Sequence, residues 1–200
     1  MTNRFQQSYE RHVEWEKGIT GLPSCISDPE SIDAYRHKRM WGFAAPIFNS
    51  FSNVTLLTVG DGRYGSDAII LQEHDLDITA TSISGETLKV ALEKGLIKKY
   101  CVENAEKFSF LDNTYDFVVC KESYHHFPRP PIGFYEMFRI ARKGVVLIEP
   151  IEDKKRFFDI VKSFAKKILR KNKNSLFERE GNFIYRFSIR EIEKMMTAMV

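Results

Sequence analysis

Two hundred residues, 43% of them hydrophobic and 28% charged, describe an ordinary globular chain with enough apolar material for one sizeable core. A net charge of +3 is too small to imply a nucleic-acid surface. No run of about 18 apolar residues marks a membrane span, and the polar start MTNRFQQSYERHVEWEKG lacks a signal-peptide core, so a cytoplasmic location is the expectation. Cys25, Cys101 and Cys120 are odd in number, far apart and without CxxC spacing, which points to buried thiols rather than to disulfides or zinc.

Residues 1 to about 50 read as a helical cap. Phe5, Tyr9, His12, Val13 and Trp15 fall on one face of a first helix; a break follows at Gly18–Pro29, and a second helix runs over Ser31–Phe48, ending near Pro46. From there the pattern alternates. Val54–Val59 is a strand and Ser66–Glu73 a helix; Asp77–Ile83 is a strand and Gly85–Lys94 a helix. Tyr100–Val102 is a short strand, Tyr115–Cys120 a strand, Pro130–Arg142 a helix, and Gly144–Ile148 a strand ended by Glu149-Pro150. Short apolar strands separated by helices of about ten residues predict an α/β fold with a doubly wound, mostly parallel sheet and helices on both faces. A basic amphipathic helix follows over Lys154–Lys173, its lysines and arginines read as a solvated face or, alternatively, as a surface for an anionic substrate or membrane phosphates. Ser188 then opens a last helix, Ile189–Met199, with Glu191 placed for a capping box.

The first strand meets Gly60-Asp61-Gly62-Arg63-Tyr64-Gly65 and then a helix. Glycines in a strand-to-helix turn allow a tight bend and close backbone approach to a ligand, and the helix that follows presents free N–H groups. Further on, the segment NAEKFSFLDNTYDFVVCKESYHHF from Asn104 to Phe127 orders a short polar-Ala-Glu element, an Asp-Asn-Thr-Tyr-Asp turn, an apolar strand and a His-His-Phe loop. Together these motifs, over about Val54 to Pro150, resemble the class I S-adenosylmethionine-dependent methyltransferases. The resemblance implies a Rossmann-like domain over residues 51–200, S-adenosylmethionine as cofactor and a small-molecule methyl acceptor, with no nucleic-acid partner. It implies that Gly60, Asp61 and Gly62 flank the methionine part, Ser82 the ribose, and Asn104 with Ala105 the adenine edge, with Gly65 also counted among the cofactor-binding residues. Lys121 would lie across from the reactive sulfur. No metal is implied, and the histidines lack a clear third ligand.

Against that family, Thr58, Ser82 and Asn104 stand where acids are usual, and Ser82 offers one contact where a carboxylate would accept two. Asp61 is placed to compensate. His125 and His126 are candidates for a catalytic base, against a structural or substrate-lining role. Glu122 is read either as binding substrate or as balancing Lys121, and Asp116 as part of the turn into its strand. Tyr64 either closes over the cofactor or packs on the cap, and Tyr9 and His12 either contact cofactor from a lid or lie on a surface helix. Tyr185 and Arg186, in the tail before the last helix, either reach the acceptor pocket or simply pack. The family's closing strand hairpin has no counterpart before Val200, so an exposed sheet edge that invites homo-oligomers is expected. A catalytically inactive or truncated methyltransferase-fold binding protein and a nicotinamide-dependent oxidoreductase are the alternative readings. The second lacks an acid or arginine near Ser82-Ile83-Ser84-Gly85.

Overall fold

A computed structural model describes residues 4–74, 76–151, 184–185 and 187–199. The elements in chain order are α1 (Arg4–Lys17), α2 (Ser24–Ser27), α3 (Ile32–Asn49), β1 (Thr55–Val59), α4 (Ser66–Leu71), β2 (Asp77–Ser82), α5 (Glu86–Glu93), β3 (Tyr100–Val102), β4 (Tyr115–Lys121), α6 (Pro130–Ile140), β5 (Ala141–Ile148) and α7 (Ile189–Thr197). The predicted basic helix Lys154–Lys173 lies outside the described residues.

The strands form one sheet in the order β3-β2-β1-β4-β5, every pair parallel. Side chains alternate between its two faces as the pleat requires. Leu56, Ile78, Ala80, Phe117 and Val119 meet Trp41, Ala44 and Phe48 of α3, Ala68 and Leu71 of α4, and Leu88 and Ala91 of α5. Leu57, Val59, Val118 and Cys120 meet Phe134, Met137 and Ile140 of α6, with Ile192 and Met195 of α7 at the margin. Both faces are therefore covered, which is why the strands read as continuous apolar runs. Beyond β5 the described residues add a single parallel bridge, Ile151 to Phe187.

Two element ends differ from expectation. Helix α3 runs through Pro46 to Asn49. Proline removes one hydrogen bond there, but fully buried Phe48 anchors the last turn against Phe117, ring centroids 5.3 Å apart. Strand β5 begins at Ala141, so Arg142 and Lys143 belong to the strand rather than to α6. Their side chains hold the sheet's amino end: Arg142 donates to the Thr114 carbonyl at 2.6 Å and Lys143 donates to Asp116. Asp116 also accepts from the Thr55 amide and hydroxyl, each at 3.0 Å, joining β1, β4 and β5. Burial raises the Asp116 carboxyl, but Lys143 and Thr55 outweigh it and hold the group at about 2. Asp116 is structural, at the end of the sheet away from the glycine turn. Ser188 and Glu191 form the expected capping box on α7.

Candidate active site

Strand register lines up the opposite end. Cys101, Thr81, Val59, Cys120 and Leu147 form one row across the sheet, so Val102, Ser82, Gly60, Lys121 and Ile148 form the next. The chain order reverses between β1 and β4, and open α/β sheets bind ligands in the crevice outside the strand ends at such a switch point. Two adjoining clefts lie there. A narrow apolar slot of about 50 Å³ is walled by Ile83, Asn104, Ala105, Phe127 and Pro128, with Ser82 on its floor. A wider polar cleft of about 400 Å³ carries Gly62, Arg63, Lys121, Glu122 and His125. Gly60, Ser123, His12 and His126 line both.

Gly60 is left-handed at φ +73°, and a Cβ on it would stand 1.8 Å from Ser123 Oγ, so only glycine lets β1 meet the β4 loop this closely. Gly62 is equally crowded: a Cβ there would lie 2.1 Å from Glu16 Oε1. Gly65 lines neither cleft. A Cβ on it would meet Ile97 at 2.9 Å, so this glycine serves the packing of α4.

The buried Asp61 lines the wider cleft and is engaged by its own chain. It accepts from the Thr58 hydroxyl at 2.9 Å and from the Asp67 and Ala68 amides at 3.0 and 2.9 Å, filling the N-terminus of α4. Burial, then the neighbouring Asp67 charge, raise its pKa to about 8 against the pull of those hydrogen bonds. Lys121 is likewise engaged, 3.1 Å from Asp67 and 3.4 Å from Glu122. Burial lowers its pKa, but Asp67 and Glu122 outweigh this and keep the ammonium charged. Glu122, with φ +50°, also binds Arg36 of α3 at 2.6 Å. Lys121 and Glu122 thus balance each other as expected, within a network that ties α3 and α4 to β4.

Asn104 turns its Oδ1 to the Glu106 amide at 2.9 Å, shaping the loop that presents Ala105 to the slot. Glu106, its side chain 1% exposed, receives Tyr9 Oη and Arg129 Nε, each at 2.6 Å. Tyr9 and His12 line the slot, so α1 lies over the site and is no ordinary surface helix. Further along α1, Trp15 lies under Arg63, 5.7 Å from the ring centroid, and Glu16 accepts from Ser82 Oγ at 2.8 Å. Tyr64 joins the core and lines neither cleft. Tyr185 donates to Glu191 at 2.8 Å and packs on the core instead of lining a cleft; Arg186 lies outside the described residues.

The two histidines have different environments. His125 Nδ1 is 2.5 Å from Glu149 Oε2, and the other oxygen of Glu149 accepts from the Ser123 and Tyr124 amides at 2.6 and 2.7 Å. An ionised carboxylate only accepts, so Nδ1 carries the proton and Nε2 is the basic nitrogen. His126 is pushed down to about 3, by burial first and then by His125, His12 and Arg63, and stays neutral. Glu149 was read in the sequence only as the end of a strand; no local pattern signals its contact with a residue 24 positions earlier. Beside the wider cleft, Cys25, Asp33 and His37 bring their ligand atoms within 4.8 Å of one another, a group the sequence also did not reveal. Among the described residues no helix is long and apolar enough to cross a membrane.

Comparison with known proteins supports what the geometry suggests. The profile of the methyltransferase-domain family matches residues 57–148. A curated relative, 2-methyl-6-phytyl-1,4-hydroquinone methyltransferase of Synechocystis sp., is 30% identical over 97 residues, which cover 47% of this chain and 30% of that protein. The chain therefore spans 30% of the length of that relative. Among solved structures, the YcgJ protein of Bacillus subtilis superposes with a TM-score of 0.61 at 19% identity, over 80% of this chain and 67% of that one. Magnesium protoporphyrin IX methyltransferase of Synechocystis, solved with bound S-adenosylhomocysteine, gives 0.61 at 14% identity, over 97% of this chain and 84% of that one. These superpositions establish a shared fold. With the family match, residues 57–148, which span β1 to β5, are similar to the methyltransferase-domain family and share the fold of these proteins.

Proposed function

We propose that this chain binds S-adenosylmethionine with its adenosine end in the narrow slot and its methionine end in the wider cleft, and that it methylates a small molecule held in the same cleft. The observation that carries the reading is the junction of the two clefts at Gly60, Ser123 and His126, on the carboxyl ends of β1 and β4. An apolar slot opening into a polar cleft matches a ligand with a flat heterocycle at one end and an amino acid at the other. The glycine turn supports the fit, because Gly60 and Gly62 bring bare backbone to the cleft wall. S-adenosylmethionine, when bound, supplies an electrophilic methyl group.

The protein's part is to orient the acceptor, exclude water and manage a proton. His125 is the candidate base. Glu149 would fix its ring through Nδ1, leaving Nε2 to take the proton of an acceptor hydroxyl held in the cleft. His126, neutral and buried beside it, is suited to accept or donate a hydrogen bond without adding charge. The hydroquinone named for the curated relative supports a small hydroxylated acceptor as the class to screen.

Calorimetric titration with S-adenosylmethionine, S-adenosylhomocysteine and reduced nicotinamide cofactors tests the reading. Micromolar binding of the first two alone is expected, followed by methyl transfer to members of a hydroxylated aromatic panel. Binding without transfer to any acceptor would favour a binding module, a reading that Thr58, Ser82 and Asn104 in place of acids also support. Nicotinamide binding, or no binding by folded protein, would refute the assignment.

A further inference from the structure

The sequence leaves β2 ending in Ser82, where a carboxylate would be needed to grip a ribose diol. The structure brings a carboxylate to that place from elsewhere in the chain. Glu16, in the last turns of α1, has its side chain 1% exposed and its Oε1 2.8 Å from Ser82 Oγ and 3.3 Å from His12 Nε2. Its other oxygen, Oε2, is buried and accepts no hydrogen bond from the described residues. A carboxylate oxygen in that state is costly unless a donor meets it. Glu16 also lines the wider cleft and lies against Gly62, whose missing side chain is what leaves it room.

We infer that Glu16, supplied by the N-terminal helix, is the ribose-binding acid of this chain. This rests on the cofactor reading above. A vicinal diol presents two adjacent O–H donors, and a carboxylate offers two acceptor oxygens at matching separation. Ser82 holds Oε1 in place, and Oε2 is the acceptor with nothing to accept. The other tethers of α1 are independent of this contact: Tyr9 binds Glu106, and Arg63 covers Trp15. The helix therefore keeps its place over the strand ends while Glu16 faces the ligand.

The test pairs two ligands with two proteins. Calorimetry compares S-adenosylhomocysteine with its 2′,3′-dideoxy counterpart, on the native chain and on E16Q, after thermal melts have shown both proteins folded. The native chain is expected to bind the diol at least about tenfold more tightly, the scale of charge-assisted hydrogen bonds. E16Q is expected to lose about tenfold to a hundredfold on the diol and little on the dideoxy ligand, so that the preference collapses. Adding S82D to E16Q, which returns an acid to the strand end, restores the preference. Equal losses on both ligands would make Glu16 a structural group and overturn the inference, as would a native chain indifferent to the diol. A native chain that binds neither ligand instead refutes the cofactor reading itself, before any variant is compared.

Discussion

Replacing Gly60 by alanine probes the tightest site among the described glycines. Two costs combine. The backbone at φ +73° disfavours an L side chain by about 1–2 kcal/mol. The new Cβ would stand 1.8 Å from Ser123 Oγ and 2.6 Å from Ser123 Cβ, and overpacking of that kind typically adds about 1–3 kcal/mol. G60A should therefore destabilise the fold by about 2–5 kcal/mol, a large share of a domain's stability. The steric part depends on one neighbour, whereas the backbone part does not. S123G removes both clashing atoms, so G60A/S123G should recover about 1–3 kcal/mol relative to the sum of the single changes, leaving the φ penalty. Urea denaturation of the four proteins in a double-mutant cycle measures this. Simple additivity, a coupling under about 0.5 kcal/mol, would refute the claim that β1 and the β4 loop meet through bare backbone.

Other outcomes follow from the same contacts. F48A empties a fully buried site against Phe117 and should cost about 3–5 kcal/mol by denaturant melts, with the turn after Pro46 loosening first in hydrogen exchange. E149Q puts an amide where a carboxylate meets two backbone N–H groups and His125, so about 1–3 kcal/mol of stability should go. The His125 Nδ1–H resonance should shift or vanish in NMR, and an unmoved signal would deny the pairing. His126 is neutral in the folded protein down to about pH 3 but titrates near 6.5 when unfolded, so the unfolded state binds more protons between these values. Its contribution to stability should thus fall as pH drops from about 6.5 towards 3, and H126F should flatten that part of the pH profile.

The fold was legible in the sequence because buried parallel strands announce themselves as apolar runs, and every strand end but the start of β5 was placed to within one residue. The errors at Pro46 and Arg142 have one origin: local rules stop a helix at proline and extend it over basic residues, whereas Phe48 packing and the Asp116 network decide the outcome at long range. Gly60, Gly62, Ser82 and the histidine pair, singled out by position in the sequence, line the two clefts. Asp61 lines the wider cleft, and its hold on the free amides of α4 was not legible in the turn's sequence. Glu16, Glu106 and Glu149 had no local signature. Their partners stand 66, 97 and 24 residues away, and only the folded chain pairs them.

Helix α1 has a kinetic consequence. Fourteen residues make a helix that is marginal on its own in water, and this one is held down largely by polar contacts around Tyr9, Trp15 and Glu16. Tyr9 and His12 form part of the slot wall, so entry of a ligand into the slot is expected to be coupled to movement of the helix away from the sheet. Association should then proceed through an opening step whose rate is a property of the protein. At high ligand concentration the observed on-rate would level off at the frequency with which those contacts break, and the amides of α1 would exchange with solvent faster before the ligand arrives than after it is enclosed.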